Sequence, residues 1–187
     1  MTVLQAPPKI ESLPDWLNRF ESDDGIVYIS ENRPYKFSEA EYDSYYNMSA
    51  DDTSGRGIVN LIRLCDGDFN GPLLELGCGS GKLTQGICNT NAFPHLVVTD
   101  GSKAFLDLTR EKLRAHGSDL DRVSLATLLD SDMDKLPANS LSAIVMRSTL
   151  HHFLDVEGFF KAAAGMADLF FQGKDQFVLP AFLNQRI

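Results

Sequence analysis

Glu75 and the glycines after it are the first residues whose types and spacing point to chemistry. Residues 73–81 read LLELGCGSG, with Gly77, Gly79 and Gly81 at alternate positions. Glycine reaches the positive φ of a tight turn and puts no Cβ in the way of a ligand. Leu73, Leu74 and Leu76 form an apolar run that reads as a buried parallel strand, and a helix begins near Lys82. The helix start adds unpaired N–H groups to the turn. A dinucleotide fingerprint is spaced G-x-G-x-x-G and draws a pyrophosphate. Here the spacing is G-x-G-x-G, with a carboxylate at the mouth. That charge repels phosphate and suits a cationic ligand. A purely structural strand-to-helix turn would use the same glycines.

Asp100 ends a second apolar run, 96–99 (LVVT). It falls about twenty residues after the glycines, where such folds place an acid that accepts from both ribose hydroxyls. Asp is also a favoured helix N-cap. Gly101 and Ser102 follow on the same edge. An acidic stretch, 130–137 (DSDMDKLP), comes next. A strand over 140–146 then leads into Arg147, Ser148 and Thr149, and on to Leu150-His151-His152. A neutral histidine can take a proton, its unperturbed pKa being ~6.5, and a histidine at such a turn also fixes backbone. The three cysteines, Cys65, Cys78 and Cys88, show no metal-ligand spacing, so reduced thiols and no metal site are expected. Cys78 reads as a small filler lining the glycine turn, not as a nucleophile.

Residues 75–81, ELGCGSG, resemble motif I of the class I (Rossmann-like) methyltransferases, E-x-G-x-G-x-G. S-adenosylmethionine carries a sulfonium and an α-ammonium, which match the sign of Glu75. The resemblance implies that Glu75, Gly77, Cys78, Gly79, Gly81, Asp100, Gly101 and Ser102 line the site of this cofactor. The 130–137 segment is similar to the family's acidic loop, G-D-A-x-x-L-P, with Ser131 in place of glycine. Aligned on Leu136-Pro137, the acid implied to accept from the adenine amino group is Asp132, and Met133 is implied to pack on the ring. A plain acidic surface loop would read alike. The L-H-H after the fourth strand is frequent in small-molecule methyltransferases. It makes His151 the implied acid–base residue, with Arg147 and Ser148 lining the cofactor. N-terminal helices cap the cofactor in such proteins, which implies that Tyr45 faces its methionine end.

Several elements must position these residues. Residues 12–20 (SLPDWLNRF) read as a short helix with Ser12 as cap and Trp16 in packing, and 25–29 as a short strand. Helices follow over 38–48, with Tyr42, Tyr45 and Tyr46, and over 53–64. After the glycine turn the periodicity predicts a helix over 82–88, a strand over 96–99, a helix over 102–116 and a strand over 122–129. A long helix over 155–171, ended by Gly173, and a fifth strand over 176–179 complete the pattern.

The resemblance implies seven strands in the order 3-2-1-4-5-7-6. The expected architecture is therefore α/β: a Rossmann-like doubly wound sheet in three αβα layers. An N-terminal arm and helical cap over 1–71 precedes a core over 72–187. That core lacks segments for strands 6 and 7. An uncovered fifth strand leaves an apolar edge, for which a homodimer or a partner protein is the expected cover.

Of 187 residues 43% are hydrophobic, enough for a real core. Seventeen Lys and Arg stand against 26 Asp and Glu, a formal charge of −9. That balance argues against broad contact with nucleic acid and favours a small-molecule acceptor. No apolar run is long enough to span a membrane, and no signal pattern opens the chain, so a cytoplasmic protein without membrane contact is expected. The resemblance implies methyl transfer from S-adenosylmethionine by direct in-line displacement. A methyltransferase-like protein that binds the cofactor or a partner enzyme without chemistry is the alternative.

Overall fold

The computed structural model describes residues 12–35, 38, 41, 53–64, 69–167, 169–174 and 177–182. Tyr45 and the rest of the aromatic cluster expected over 38–48 lie outside the described residues, as does Cys65. Helix α1 (Leu13–Leu17) starts where Ser12 predicts: Ser12 Oγ accepts from Asp15 N at 3.3 Å. Strands β1 (Ser22–Asp23) and β2 (Ile26–Tyr28) form a small hairpin. Helix α2 (Thr53–Leu64) precedes β3 (Leu73–Leu76), and α3 (Lys82–Cys88) follows the glycine turn. Then come β4 (Leu96–Asp100), α4 (Lys103–Ala115), β5 (Val123–Thr127), β6 (Ala143–Arg147), α5 (Val156–Ala164), β7 (Leu169–Lys174) and β8 (Phe177–Phe182).

One sheet takes the order β1-β2-β5-β4-β3-β6-β7-β8. The six inner strands are parallel, and β1 and β8 pair antiparallel at the two ends. Successive side chains on a strand face opposite ways, so β3, β4, β5 and β6 each serve two cores. Leu74, Leu76, Val97, Ile144 and Met146 pack with α1 and α5 on one face. Leu73, Val98, Leu125 and Val145 pack with α2, α3 and α4 on the other. The result is the expected doubly wound αβα sandwich, with the carboxyl ends of β3, β4, β5 and β6 gathered along one edge. No described helix is long and apolar enough to cross a membrane.

Three readings from the sequence are corrected at the periphery. The helix expected over 155–171 stops at Ala164, with Gly165 as its C-cap, so Gly173 lies within β7 and ends no helix. Gly165 O and Met166 O accept from Asn139 N and Leu141 N, while Met166 and Ala167 are buried in the core. That anchorage turns the chain, and the bulky Leu169-Phe170-Phe171 run continues as a strand beside β6. The strand expected over 176–179 is β8, which pairs antiparallel with β7, a strand the sequence reading did not foresee, and is the last of the described strands on that side. Its Pro180 is tolerated because, among the described strands, β8 has a neighbour on one side only. Finally, β2 joins the sheet beside β5, so residues before 72 contribute to the same layer.

Candidate functional site

The turn between β3 and α3 is left-handed at each glycine, with φ of 70° at Gly77, 52° at Gly79 and 76° at Gly81. A Cβ on Gly77 would collide with the Thr149 side chain, and one on Gly81 would sit 2.7 Å from Thr109 Oγ1. These two glycines thus admit neighbouring side chains as well as the turn itself. The loop is tied down on several sides. Cys78 N donates to Thr99 O at 2.9 Å and Thr109 Oγ1 to Gly79 O at 3.1 Å. Burial, with Asp100 and Glu75 nearby, pushes the Cys78 thiol well up, so it stays protonated and inert.

Glu75 is 1% exposed, and its in-register neighbours on β4 and β6 are Val98 and Val145. Its Oε2 lacks a hydrogen bond of ordinary geometry, as does Oγ1 of the adjacent Thr84, although the Thr84 donors lie close enough to favour the charged carboxylate. Desolvation raises the Glu75 pKa to about 7, with Asp100 adding to the rise; Thr84 and Arg147 oppose it. Glu75 borders a cleft of about 40 Å³ with Gly77, Arg147 and Ser148. These three residues also line a larger neighbouring cavity of about 300 Å³.

Asp100 lies on that larger cavity, at the tip of β4. Its carboxylate accepts from Gly79 N and from Ser102 N, each at 2.9 Å. Burial raises its pKa, and the backbone N–H groups of Ser102, Gly79 and Gly101 hold the rise in check. Gly101 and Ser102 continue the same wall. Arg147 and Ser148, the latter at φ 53°, form another part at the end of β6.

Other predicted residues sit elsewhere. Asp132 is turned toward Ser30 Oγ at 2.6 Å and Lys135 Nζ at 2.9 Å, and Met133 is 1% exposed in the core. Neither lines the cavity; Asp130 does. Burial pushes the Asp132 pKa up, but the bonds from Ser30 and Lys135 outweigh it and hold it below the ordinary value. His151 and His152 are both exposed, with ring centroids 3.9 Å apart, and of the two it is His152 that lines the cavity. Desolvation, helped by His151, lowers the His152 pKa. Gly81 and Cys78 support the turn without lining the larger cavity.

The sequence reading missed one wall altogether. Arg33, Pro34 and Tyr35 run across the cavity from the N-terminal side. Arg33 N donates to Gly101 O at 2.7 Å, and Asn32 Oδ1 accepts from Lys103 N at 2.8 Å, capping α4 from a distance. Tyr35 meets Phe105 edge-on at 5.3 Å and His152 at 6.3 Å. No signal for this wall stands in the sequence: Ser102 reads as a favoured cap residue, and only the structure shows that its side chain does not cap α4. No cluster of His, Cys, Asp and Glu suited to a metal ion occurs among the described residues.

Comparison with known proteins places this geometry. The profile of the methyltransferase domain family matches residues 74–168, from the glycine-turn strand to just past the helix after His152. The chain belongs to that family. The chain is 36% identical over 87 residues to the reducing polyketide synthase Preu2 of Preussia isomera, covering 45% of this chain and 4% of that protein. A solved S-adenosylmethionine-dependent methyltransferase from Clostridium acetobutylicum superposes with a TM-score of 0.56 at 21% identity, over 71% of this chain and 54% of that one. The N-terminal domain of EvdMO1, solved with SAH (S-adenosylhomocysteine) bound, gives 0.55 at 18% identity, over 76% and 58%. The chain thus spans about half the length of these solved methyltransferase-fold chains and a small part of the polyketide synthase. At these identities the superpositions speak for the fold, which is the one expected.

Proposed function

We propose that this domain transfers a methyl group from S-adenosylmethionine to a small-molecule acceptor. The observation that carries the reading is Glu75 Oε2, a buried carboxylate oxygen without a hydrogen bond of ordinary geometry, beneath a left-handed glycine turn. A buried carboxylate costs several kcal/mol unless a cation or donors meet it. A cationic donor supplies what the site lacks. Glu75 would meet its positive end, Gly77 and Gly79 would let it approach, and Asp100 would accept from its ribose with the lone pairs left after its two backbone bonds.

When bound, S-adenosylmethionine supplies an electrophilic methyl group open to in-line displacement. The remaining work falls to the chain. The cavity holds the acceptor close and collinear, which can lower a barrier by up to ~7–11 kcal/mol. His152, on the cavity wall and with its pKa lowered by desolvation and by His151, would take the acceptor's proton. The formal charge of −9 and a concave cavity of about 300 Å³ both favour a small acceptor over nucleic acid. Likeness to a polyketide synthase makes secondary metabolites, polyketides first, the class to try.

The test is transfer of labelled methyl from S-adenosylmethionine across an acceptor panel, with and without candidate partner enzymes. Transfer that disappears in Glu75→Ala supports the reading. SAH binding with no transfer to any acceptor would instead favour a protein that keeps the cofactor fold and has no chemistry of its own.

A further inference from the structure

Asp132 does not reach the cavity, yet both its oxygens are engaged. Oδ2 accepts from Ser30 Oγ at 2.6 Å, and Oδ1 pairs with Lys135 Nζ at 2.9 Å. Lys135 Nζ also donates to Ile29 O at 3.3 Å. Ser30 is 5% exposed and fully used: its hydroxyl accepts from Leu129 N at 2.9 Å, its N–H donates to Thr127 O at 3.1 Å, and its carbonyl accepts from Thr127 Oγ1 at 2.6 Å. Here the chain leaves the sheet just beyond β2. The next five residues, 31–35, have no regular structure. They end in Arg33, Pro34 and Tyr35 on the cavity and touch down through Asn32 and Arg33 at the start of α4. A segment without its own ladder takes its position from its anchors, and the anchor before it is Ser30.

We propose that the Ser30–Asp132 hydrogen bond, steadied by Lys135, positions residues 31–35 as a wall of the donor site, so that Asp132 serves binding through Ser30 and not by touching the donor. This rests on the proposed use of the cavity for S-adenosylmethionine. A hydroxyl donating to a carboxylate is among the stronger hydrogen bonds, and its loss frees the wall to sample other positions. Binding then has to restore the order, which weakens affinity for the donor and leaves the bound reaction unchanged. Asp132 and Ser30 are positioning residues in this account.

Ser30→Ala and Asp132→Asn are compared with wild type by amide hydrogen exchange without ligand, by SAH titration and by donor kinetics. Both variants are expected to speed exchange at the Arg33 and Lys103 amides about tenfold while β4 amides keep their protection. SAH affinity is expected to fall about tenfold, with KM for the donor raised and kcat within about twofold. Lys135→Met, whose side chain is 46% exposed, should give the same pattern more weakly and serves if the buried variants fail to fold. Unchanged exchange at Arg33 and Lys103, or wild-type SAH affinity in Ser30→Ala, overturns the proposal. Wild type failing to bind SAH would overturn the donor-site role and the functional reading alike, while exchange would still report on the anchor.

Discussion

Removing the charge at Glu75 should change how the ligand-free protein responds to pH. The Glu75 pKa is raised from an ordinary 4.5 to about 7, chiefly by desolvation. Between those values the folded protein holds a proton that the unfolded chain has released. Stability from this group is therefore complete below pH 4.5, declines as pH rises, and is gone above about pH 7. At about 1.4 kcal/mol per pKa unit, the full span is about 3 kcal/mol, of which about 2 kcal/mol is lost between about pH 5.5 and pH 8. Glu75→Gln keeps the shape and cannot ionise, so it should escape this loss. Urea unfolding of both proteins at the two pH values measures it. Wild type should lose about 2 kcal/mol more than Glu75→Gln over that interval. Parallel profiles would mean that Glu75 is not a desolvated acid, and the argument for a cationic ligand would fail with it. Donor binding should also expel the proton: near pH 6, titration of SAH in buffers of different ionisation enthalpy should show proton release that vanishes near pH 8.5.

Asp100→Ala should weaken SAH affinity by tenfold or more and lower the melting temperature, because the carboxylate also holds Gly79 N and Ser102 N; affinity equal to wild type would remove Asp100 from the site. Gly81→Ala should cost about 2–4 kcal/mol in urea unfolding, since the residue is at φ 76° with Thr109 against the missing Cβ; a loss under about 1 kcal/mol would contradict the packing described. His152→Ala should cut methyl transfer by about 10²-fold or more with SAH affinity preserved, and His151→Ala should do far less; the reverse ranking would restore His151 to the role the sequence suggested.

The central part of this site was legible because its chemistry is local. Glu75, the alternate glycines and Asp100 lie on or next to apolar strands, and short strands between turns announce themselves. Asp132 and His151 show where spacing fails. Each sits in a 3-10 helical turn, Asp130–Lys135 and Leu150–His152, where consecutive side chains diverge by about 120°. Aligning such a segment one or two residues off exchanges the residue that lines the cavity for one that does not. The wall at Arg33–Tyr35 has no periodicity at all, and hydrogen bonds to residues far along the chain place it. The end of α5 was hidden for another reason: FFKAAAGMADLFF is apolar but for Lys161 and Asp168, so helix and strand patterns overlap, and the tertiary anchorage of Met166 decides.

The central claim, that this crevice receives an adenosyl donor of positive charge, is tested most directly by calorimetric titration of the wild-type protein with SAH and, separately, with NAD. The account predicts saturable binding of one SAH per chain and no comparable binding of NAD. Tight NAD binding without SAH binding would contradict it.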